Sequence, residues 1–506
     1  MRLFPLNDCR ICARFTLMGA FLGAALLLAG CGDQVRAVIT PVGATGPASQ
    51  PAAYAVVVSA TTPTSPGVAS PGVATIIDYS GDSVMAEAAI GPGPSLFALD
   101  PNGANGYTLN SDKTITTFPI STTLQPKNIT YTTLPPNAQI SNLTALSAGL
   151  WGADLTGNVA DSFSGSPQAF KIAIPVAVTP VAIVSPSGTS PQRVYAVSQG
   201  IVSATGVECN ASPRTQGAGA VTPIEVSSNS PDTAIPVGKC PVFAFETPDS
   251  QRLYVLNRGD DTISVINSNI NALDNQCPPP AGCTNQNGQT YYSHPSLPLS
   301  TSAGLAQDGN NDVPAVAGPV YAEYNAATQQ LVVSDYDGGA VSVIDVSLDQ
   351  FGNDSPTFGT TYTIPVGTNP ASVTVLNDGS RAYTANQADG TVTIVNLSSH
   401  TVEKTLTVVG NPRTVASVQN SQYGKVYVGS PNSPYLTIIE TQFDLVDTTL
   451  LLEGTVVDVH ITNNSGGSTS GAGNPAFVSR VPGFGQPCNL PGAASTASLS
   501  ACQAIP

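Results

Sequence analysis

A strand-like segment built around an aromatic or β-branched residue recurs eight times along this chain. The copies are Ala53-Tyr54-Ala55-Val56, Gly106-Tyr107-Thr108-Leu109-Asn110, Leu150-Trp151-Gly152-Ala153-Asp154, Val194-Tyr195-Ala196-Val197-Ser198, Leu253-Tyr254-Val255-Leu256-Asn257, Leu331-Val332-Val333-Ser334-Asp335, Ala382-Tyr383-Thr384-Ala385-Asn386 and Val426-Tyr427-Val428-Gly429-Ser430. The steps from Tyr107 to Trp151, Trp151 to Tyr195 and Tyr383 to Tyr427 are each 44 residues. A fixed period in the forties marks a repeat architecture in which each copy is one supersecondary unit. Composition agrees with many short strands and many turns. Only 10% of residues are charged, and Gly (47) and Pro (43) are frequent, against a usual charged share of about a quarter.

Residues 364–407 are the clearest unit. Ile364-Pro365-Val366-Gly367-Thr368-Asn369-Pro370 reads as a turn and 371–376 as a first strand. Asn377-Asp378-Gly379-Ser380 supplies residues that tolerate positive φ. Residues 381–386, 391–396 and 401–408 complete four antiparallel strands, and Gly410-Asn411-Pro412 begins the next turn. The third strand repeats as Thr262-Ile263-Ser264-Val265-Ile266-Asn267, Ala340-Val341-Ser342-Val343-Ile344-Asp345 and Leu436-Thr437-Ile438-Ile439-Glu440, with weaker copies at 73–78, 114–118, 159–163 and 201–205. With its Tyr-Val-x-Asn runs, such as Tyr254-Val255-Leu256-Asn257, the chain resembles the YVTN family of β-propeller repeats, strongly over 235–440 and in outline over 50–463.

A sheet apolar on both faces must be covered by its neighbours, so the expected fold is an all-β propeller of four-stranded antiparallel blades. The repeat count gives eight blades. Seven, the commoner number in the family, is the alternative, with 137–174 as the unit to drop. The signature Tyr, Val, Ile and Gly positions are assigned to packing and turns. The first unit begins at its second strand, and Thr455-Val456-Val457-Asp458-Val459-His460-Ile461-Thr462 alternates without a blade of its own. That segment is expected to supply the missing inner strand of the first blade and close the ring.

Residues 1–30 read as an export signal: Arg2, Arg10 and Arg14 precede an apolar stretch, 15–28, that is short for a membrane span. Leu28-Ala29-Gly30-Cys31 resembles the lipobox of bacterial lipoproteins. The resemblance implies cleavage before Cys31, lipidation of its sulfur and a membrane contact through that anchor. Gly32, standing where inner-membrane retention signals place Asp, points to the outer membrane, facing periplasm or surface. The expected divisions are a signal at 1–30, a lipidated tether at 31–53, the propeller at 54–463, and a Gly/Ser-rich tail at 464–506.

Without residues 1–30 the chain retains 14 basic and 32 acidic residues, a net charge of −18. Nucleic acid is thereby excluded as a partner, since phosphate binding needs a basic footprint. Six cysteines remain besides Cys31, and an even number in an exported chain implies disulfides. They admit 15 connectivities. Cys277 with Cys283 and Cys488 with Cys502 are natural local pairs, which leaves Cys209 with Cys240. No Cys-x-x-Cys pair or His cluster accompanies them in a zinc-site pattern.

Three departures from the repeat, at about 206–234, 268–314 and 346–361, are each placed between third and fourth strands, on one face of the ring. Loops on a rigid scaffold commonly carry specificity. The second contains Tyr291-Tyr292-Ser293-His294-Pro295, with aromatics suited to stacking a sugar or peptide. It also contains Asp308-Gly309-Asn310-Asn311-Asp312, which resembles the start of a calcium loop through Asp308, Asn310 and Asp312. Val313 stands where that loop needs Gly, and Pro319 where it needs Glu. No cofactor other than calcium is suggested. The three histidines, His294, His400 and His460, are far apart, and no nucleophile elbow, zinc helix or phosphate loop is present. No catalytic residue is assigned. The expectation is a monomeric binding or scaffolding lipoprotein for an envelope protein, peptide or glycan. A periplasmic metal-assisted hydrolase or lactonase is the alternative.

Overall fold

The computed structural model describes residues 53–62, 70–79, 81–146, 149–185, 192–200, 218–284, 288–299, 317–417, 422 and 424–462. They form an all-β propeller of eight blades. In each blade the strands are lettered A to D from the inside outward. Blade 7 shows the pattern: A is Pro370–Val375, B is Arg381–Asn386, C is Thr391–Asn396 and D is Thr401–Thr407, paired in that order. Burial falls along the same order. Strand A is buried throughout, while D exposes most of its side chains.

The inner strands close a circuit. Leu96–Leu99 packs on Ile140–Leu146, and the chain of contacts continues through Pro180–Val184, Pro241–Glu246, Pro319–Asn325, Pro370–Val375 and Thr414–Ala416 to Thr455–Ile461, which packs on Leu96–Leu99. As expected, Thr455–Ile461 is the inner strand of blade 1, antiparallel to Tyr54–Ala60 with Val57 opposite Val459. Side chains also stitch neighbouring inner strands. Asn142 Oδ1 accepts from Ile183 N at 2.9 Å, Glu323 Oε2 accepts from Val375 N at 2.9 Å, and Ser372 Oγ donates to Arg413 O at 2.8 Å. These bonds satisfy polar groups that would otherwise be buried without partners.

The unit at 137–174 is a complete blade 3, with strands Ile140–Leu146, Gly149–Asp154, Val159–Ser164 and Ala169–Pro175. Two expectations need correcting. The third strand of blade 4 is Ala218–Glu225 rather than 201–205, which lie outside the described residues. Val221 pairs with Val197 and Ile224 with Val194, giving buried cross-strand partners. The first insertion therefore begins, in sequence, between strands B and C rather than between C and D. The second insertion contains strand D of blade 5, Ser296–Pro298, whose Leu297 pairs with Ile263. The described residues of 268–295 thus sit on the C–D face, and the rest of the second insertion follows strand D in sequence, between blades 5 and 6. Only 346–360 falls wholly between C and D as expected.

The signature residues do more than fill space. Asn257 Nδ2 donates to Thr262 Oγ1 (3.1 Å) and Ser264 Oγ (2.9 Å), and Asn386 Nδ2 does the same to Thr391 (3.0 Å) and Thr393 (2.8 Å). The Asn ending strand B thereby clamps the turn into strand C. It also explains the turn glycine, because a Cβ on Gly367 would lie 2.6 Å from Asn386 Cγ. At the opposite end of strand B, a basic residue and the signature Tyr reach the next blade's C–D turn. Tyr427 hydroxyl donates to Asp82 Oδ1 at 3.1 Å beside the Lys425–Asp82 ion pair, and Tyr383 and Arg381 bind Asp444. Arg193 and Tyr195 make the corresponding contacts to Ser268 O (3.1 Å) and Asn271 Oδ1 (3.2 Å). Burial pushes these phenols up, to about 12 for Tyr195, so they remain donors.

Blade 6 places Asp335 in the Asn position. It is buried and accepts from Ser342 Oγ at 2.5 Å, while its Oδ1 has no hydrogen-bond partner. Burial raises its pKa from 3.8 to about 8. Stability linked to this group is fully present below pH ~4 and is lost as pH rises through about 8, because the folded state holds the proton more tightly. Asp335→Asn is expected to raise stability at pH 8 by about 1–3 kcal/mol, the cost of an unsatisfied buried polar group. The gain should fade toward pH 4. Thermal or urea unfolding across that range measures it, and an unchanged profile would show that Asp335 is accommodated as it stands.

Candidate functional site

The C–D segments of blades 5 and 6, residues 268–295 and 346–360, come from adjacent blades and pack together into a crest on one face. Their junction is built on Arg252, the first residue of strand Arg252–Asn257. Its Nε lies 3.0 Å from Asp274 Oδ2 in the first segment, and its Nη2 lies 3.5 Å from Asp354 Oδ1 in the second. Nη2 also donates to Gly352 O at 3.0 Å. All three charged side chains are buried. Burial pushes both carboxylates above the usual carboxylate range, with Arg252 pulling the other way on each. This is the basic-residue contact of blades 4, 7 and 8, enlarged to hold two insertions.

Asp354 also reaches His294. Its Oδ2 accepts from His294 N at 3.0 Å and lies 2.8 Å from His294 Nδ1. The ring stacks on the buried Phe358 at a centroid distance of 5.4 Å and an interplanar angle of 21°. The His294 side chain remains 30% exposed. A proton on Nδ1, shared with the carboxylate, leaves Nε2 for a ligand or solvent, the arrangement that fixes a histidine's tautomer and orientation.

A covalent brace sets His294 in place. Cys277 and Cys283 form the expected disulfide, and Cys283–Thr284 pairs with Thr290–Tyr291 in a small hairpin, Cys283 opposite Tyr291. Cys277 N donates to Ser293 Oγ at 2.8 Å and Ser293 N to Cys277 O at 2.9 Å. The residue next to His294 is thereby bound to the disulfide loop at two points.

Tyr291, Tyr292 and His294 thus lie within one short stretch of the crest. Tyr291 is half-buried in the hairpin and Tyr292 is exposed. His400 and His460 lie elsewhere. His400 stacks on Tyr362 at 3.6 Å, and His460, in the closing strand, lies 3.2 Å from Asp458 Oδ2. Cys240 is disulfide-bonded. Its expected partner Cys209 lies outside the described residues, as do Cys31, Asp308, Asn310, Asp312, Cys488 and Cys502. Among the described residues, no group of three or more His, Cys, Asp or Glu is placed to hold a metal ion. Arg252, Asp274, Asp354 and Phe358 were not singled out in the sequence. The signal that leads to them is the presence of C–D insertions in two consecutive units.

No protein-family model and no curated protein matches the chain. Among solved structures it is similar to AztD from Citrobacter koseri, with a TM-score of 0.52 and 10% identity over 82% of this chain and 99% of that one. It is also similar to the dihydro-heme d1 dehydrogenase NirN in complex with DHE, with a TM-score of 0.54 and 13% identity over 86% of this chain and 79% of that one. At these identities the likeness establishes the shared β-propeller fold.

Removing one member of the crest cluster leaves buried charge uncompensated. Asp354→Ala is expected to lower the unfolding free energy by about 3 kcal/mol, read by chemical denaturation. A midpoint equal to that of the parent would show that the ion cluster does not hold the insertions together. Reduction of the disulfide should speed amide exchange at Ser293 and His294 while the strands of blades 1 and 8 stay protected, as hydrogen exchange by mass spectrometry would report.

Proposed function

We propose that this chain is an exported, lipid-anchored propeller of YVTN type that serves as a binding or scaffolding module in the bacterial cell envelope. Its crest engages a protein, peptide or glycan. The observation that carries this reading is the convergence of two insertions on one junction. Residues 268–295 and 346–360 are tied by Arg252, Asp274 and Asp354 and present His294 and Tyr292 at the surface. An ordinary surface loop has no need of a buried ion cluster and a disulfide. The blades supply the rigid mount, and the insertions supply the contact surface.

In this reading Cys31 carries the lipid and residues 31–53 form the tether. The mature chain is a monomer of the outer membrane, facing periplasm or surface. The runner-up, metal-assisted hydrolysis, gains no specific support from the crest, where one oriented imidazole stands without an assigned nucleophile.

The test is affinity capture from envelope extract with a soluble Cys31→Ser form tagged at its C-terminus. It is run beside a form in which 276–293 are replaced by a short Gly-Ser linker, sparing strand Ser296–Pro298. A partner retained by the first and lost by the second is the expected result. Equal retention by both would remove the crest from the function.

A further inference from the structure

We propose that the crest face docks a Lys- and Arg-rich segment of a partner polypeptide. The inference rests on the binding-module reading and gives its partner a chemistry. From 259 to 380 the chain runs for 122 residues without a Lys or Arg while carrying 12 Asp and Glu residues. That stretch includes both segments of the crest and all of blade 6.

The two arginines just before it do not offset its surface charge. Arg252 is buried between Asp274 and Asp354, and Arg258 is buried against Asp337 at 2.8 Å. On the crest face, Asp249 in the A–B turn of blade 5 and Asp378 in that of blade 7 are exposed, and Asp349 is half-buried between them in sequence. The partial burial of Asp349 is outweighed by the amides of Asn353 (2.9 Å) and Phe351 (2.8 Å), which hold it below the usual carboxylate range. It is an anion at any working pH.

Apolar contact is available beside this charge. Phe351 is 54% exposed and Tyr292 38% exposed, one on each segment of the crest. Because the Phe351 amide is bonded to Asp349, the turn delivers an aromatic ring and a carboxylate together. Lys and Arg match this pairing, with apolar stems or a planar guanidinium for the ring and a cation for the carboxylate. These carboxylates, two exposed and one half-buried, stand on turns of three successive blades, which suits an extended basic segment rather than one small cation. An acidic partner would meet like charge at these three turns.

The test uses the soluble Cys31→Ser protein and three labelled peptides of equal length. One bears Lys and Arg, and the others have those positions changed to Gln or to Glu. Fluorescence anisotropy should show the basic probe binding at least about tenfold tighter than the Gln probe, with affinity falling as salt rises from about 50 to about 300 mM. Asp349→Asn combined with Phe351→Ser should lose about tenfold. Asn keeps the turn's acceptor, and circular dichroism confirms the fold. Asp112→Asn, on an exposed turn of the opposite face, should change nothing.

Equal binding of the three probes, or an equal loss with Asp112→Asn, would overturn the proposal. So would displacement of the basic probe by calcium chloride at an ionic strength where sodium chloride leaves it bound. If capture depends on the crest and the basic probe does not bind, this inference fails and the binding module stands. If capture is indifferent to the crest, the module reading itself fails.

Discussion

The constraint on which this structure depends is that a four-stranded sheet of this composition is apolar on both faces. Val373, Tyr383, Ile394 and their equivalents are buried, and each buried aliphatic or aromatic side chain contributes on the order of 1.5–3 kcal/mol only if a neighbouring blade covers it. An open row of such sheets would leave two faces bare. Closure removes both at once, and the chain achieves it by pairing Tyr54–Ala60 with Thr455–Ile461. The polar parts of the repeat follow from that geometry. Asn257 and Asn386 clamp turns on one face, and in blades 4, 7 and 8 Tyr with Arg or Lys fastens the blade to the next on the other.

The crest reuses that fastening. In blades 7 and 8 a basic residue at the start of strand B contacts a short C–D turn of the following blade, and in blade 4 Arg193 contacts the start of the blade 5 segment at Ser268. In blade 5 the same position is Arg252, and the turns around it have grown into two insertions. A single buried cation then faces two carboxylates, and one of these orients an imidazole. A packing contact has become the support for a surface group, without any change to the ring beneath.

How much of this was legible in the sequence depended on whether the signal was local. Strand Thr391–Asn396 and the closing strand could be placed because alternation and spacing along the chain are enough to define them. Blade 3, the unit that a seven-bladed count drops, departs from the clearest repeats: Trp151 stands for Tyr, and Asp154 and Asp161 stand for the Asn and hydroxyl of the turn clamp. The third strand of blade 4 is not legible because 201–205 carry β-branched Ile201, Val202 and Thr205, whereas Ala218–Glu225 opens with Ala-Gly-Ala and declares itself only through its partners. At the crest, Tyr292 and His294 stood out as unusual residues in an insertion. Arg252 carries no such local signal, and Asp354 lies 60 residues from His294. Only the adjacency of blades joins them.

Closing the ring with the last strand also gives the fold a direction in time. Blades 2 to 8 are each contiguous in sequence, so they can form in order as the chain emerges, but blade 1 needs residues separated by some 400 positions, Tyr54 and Thr462 among them. Until that final strand is made, the first blade lacks its inner edge and the eighth lacks a neighbour. Synthesis halted anywhere before residue 455 therefore yields an arc with two sticky ends, which matches the kind of partly folded chain that associates with its copies.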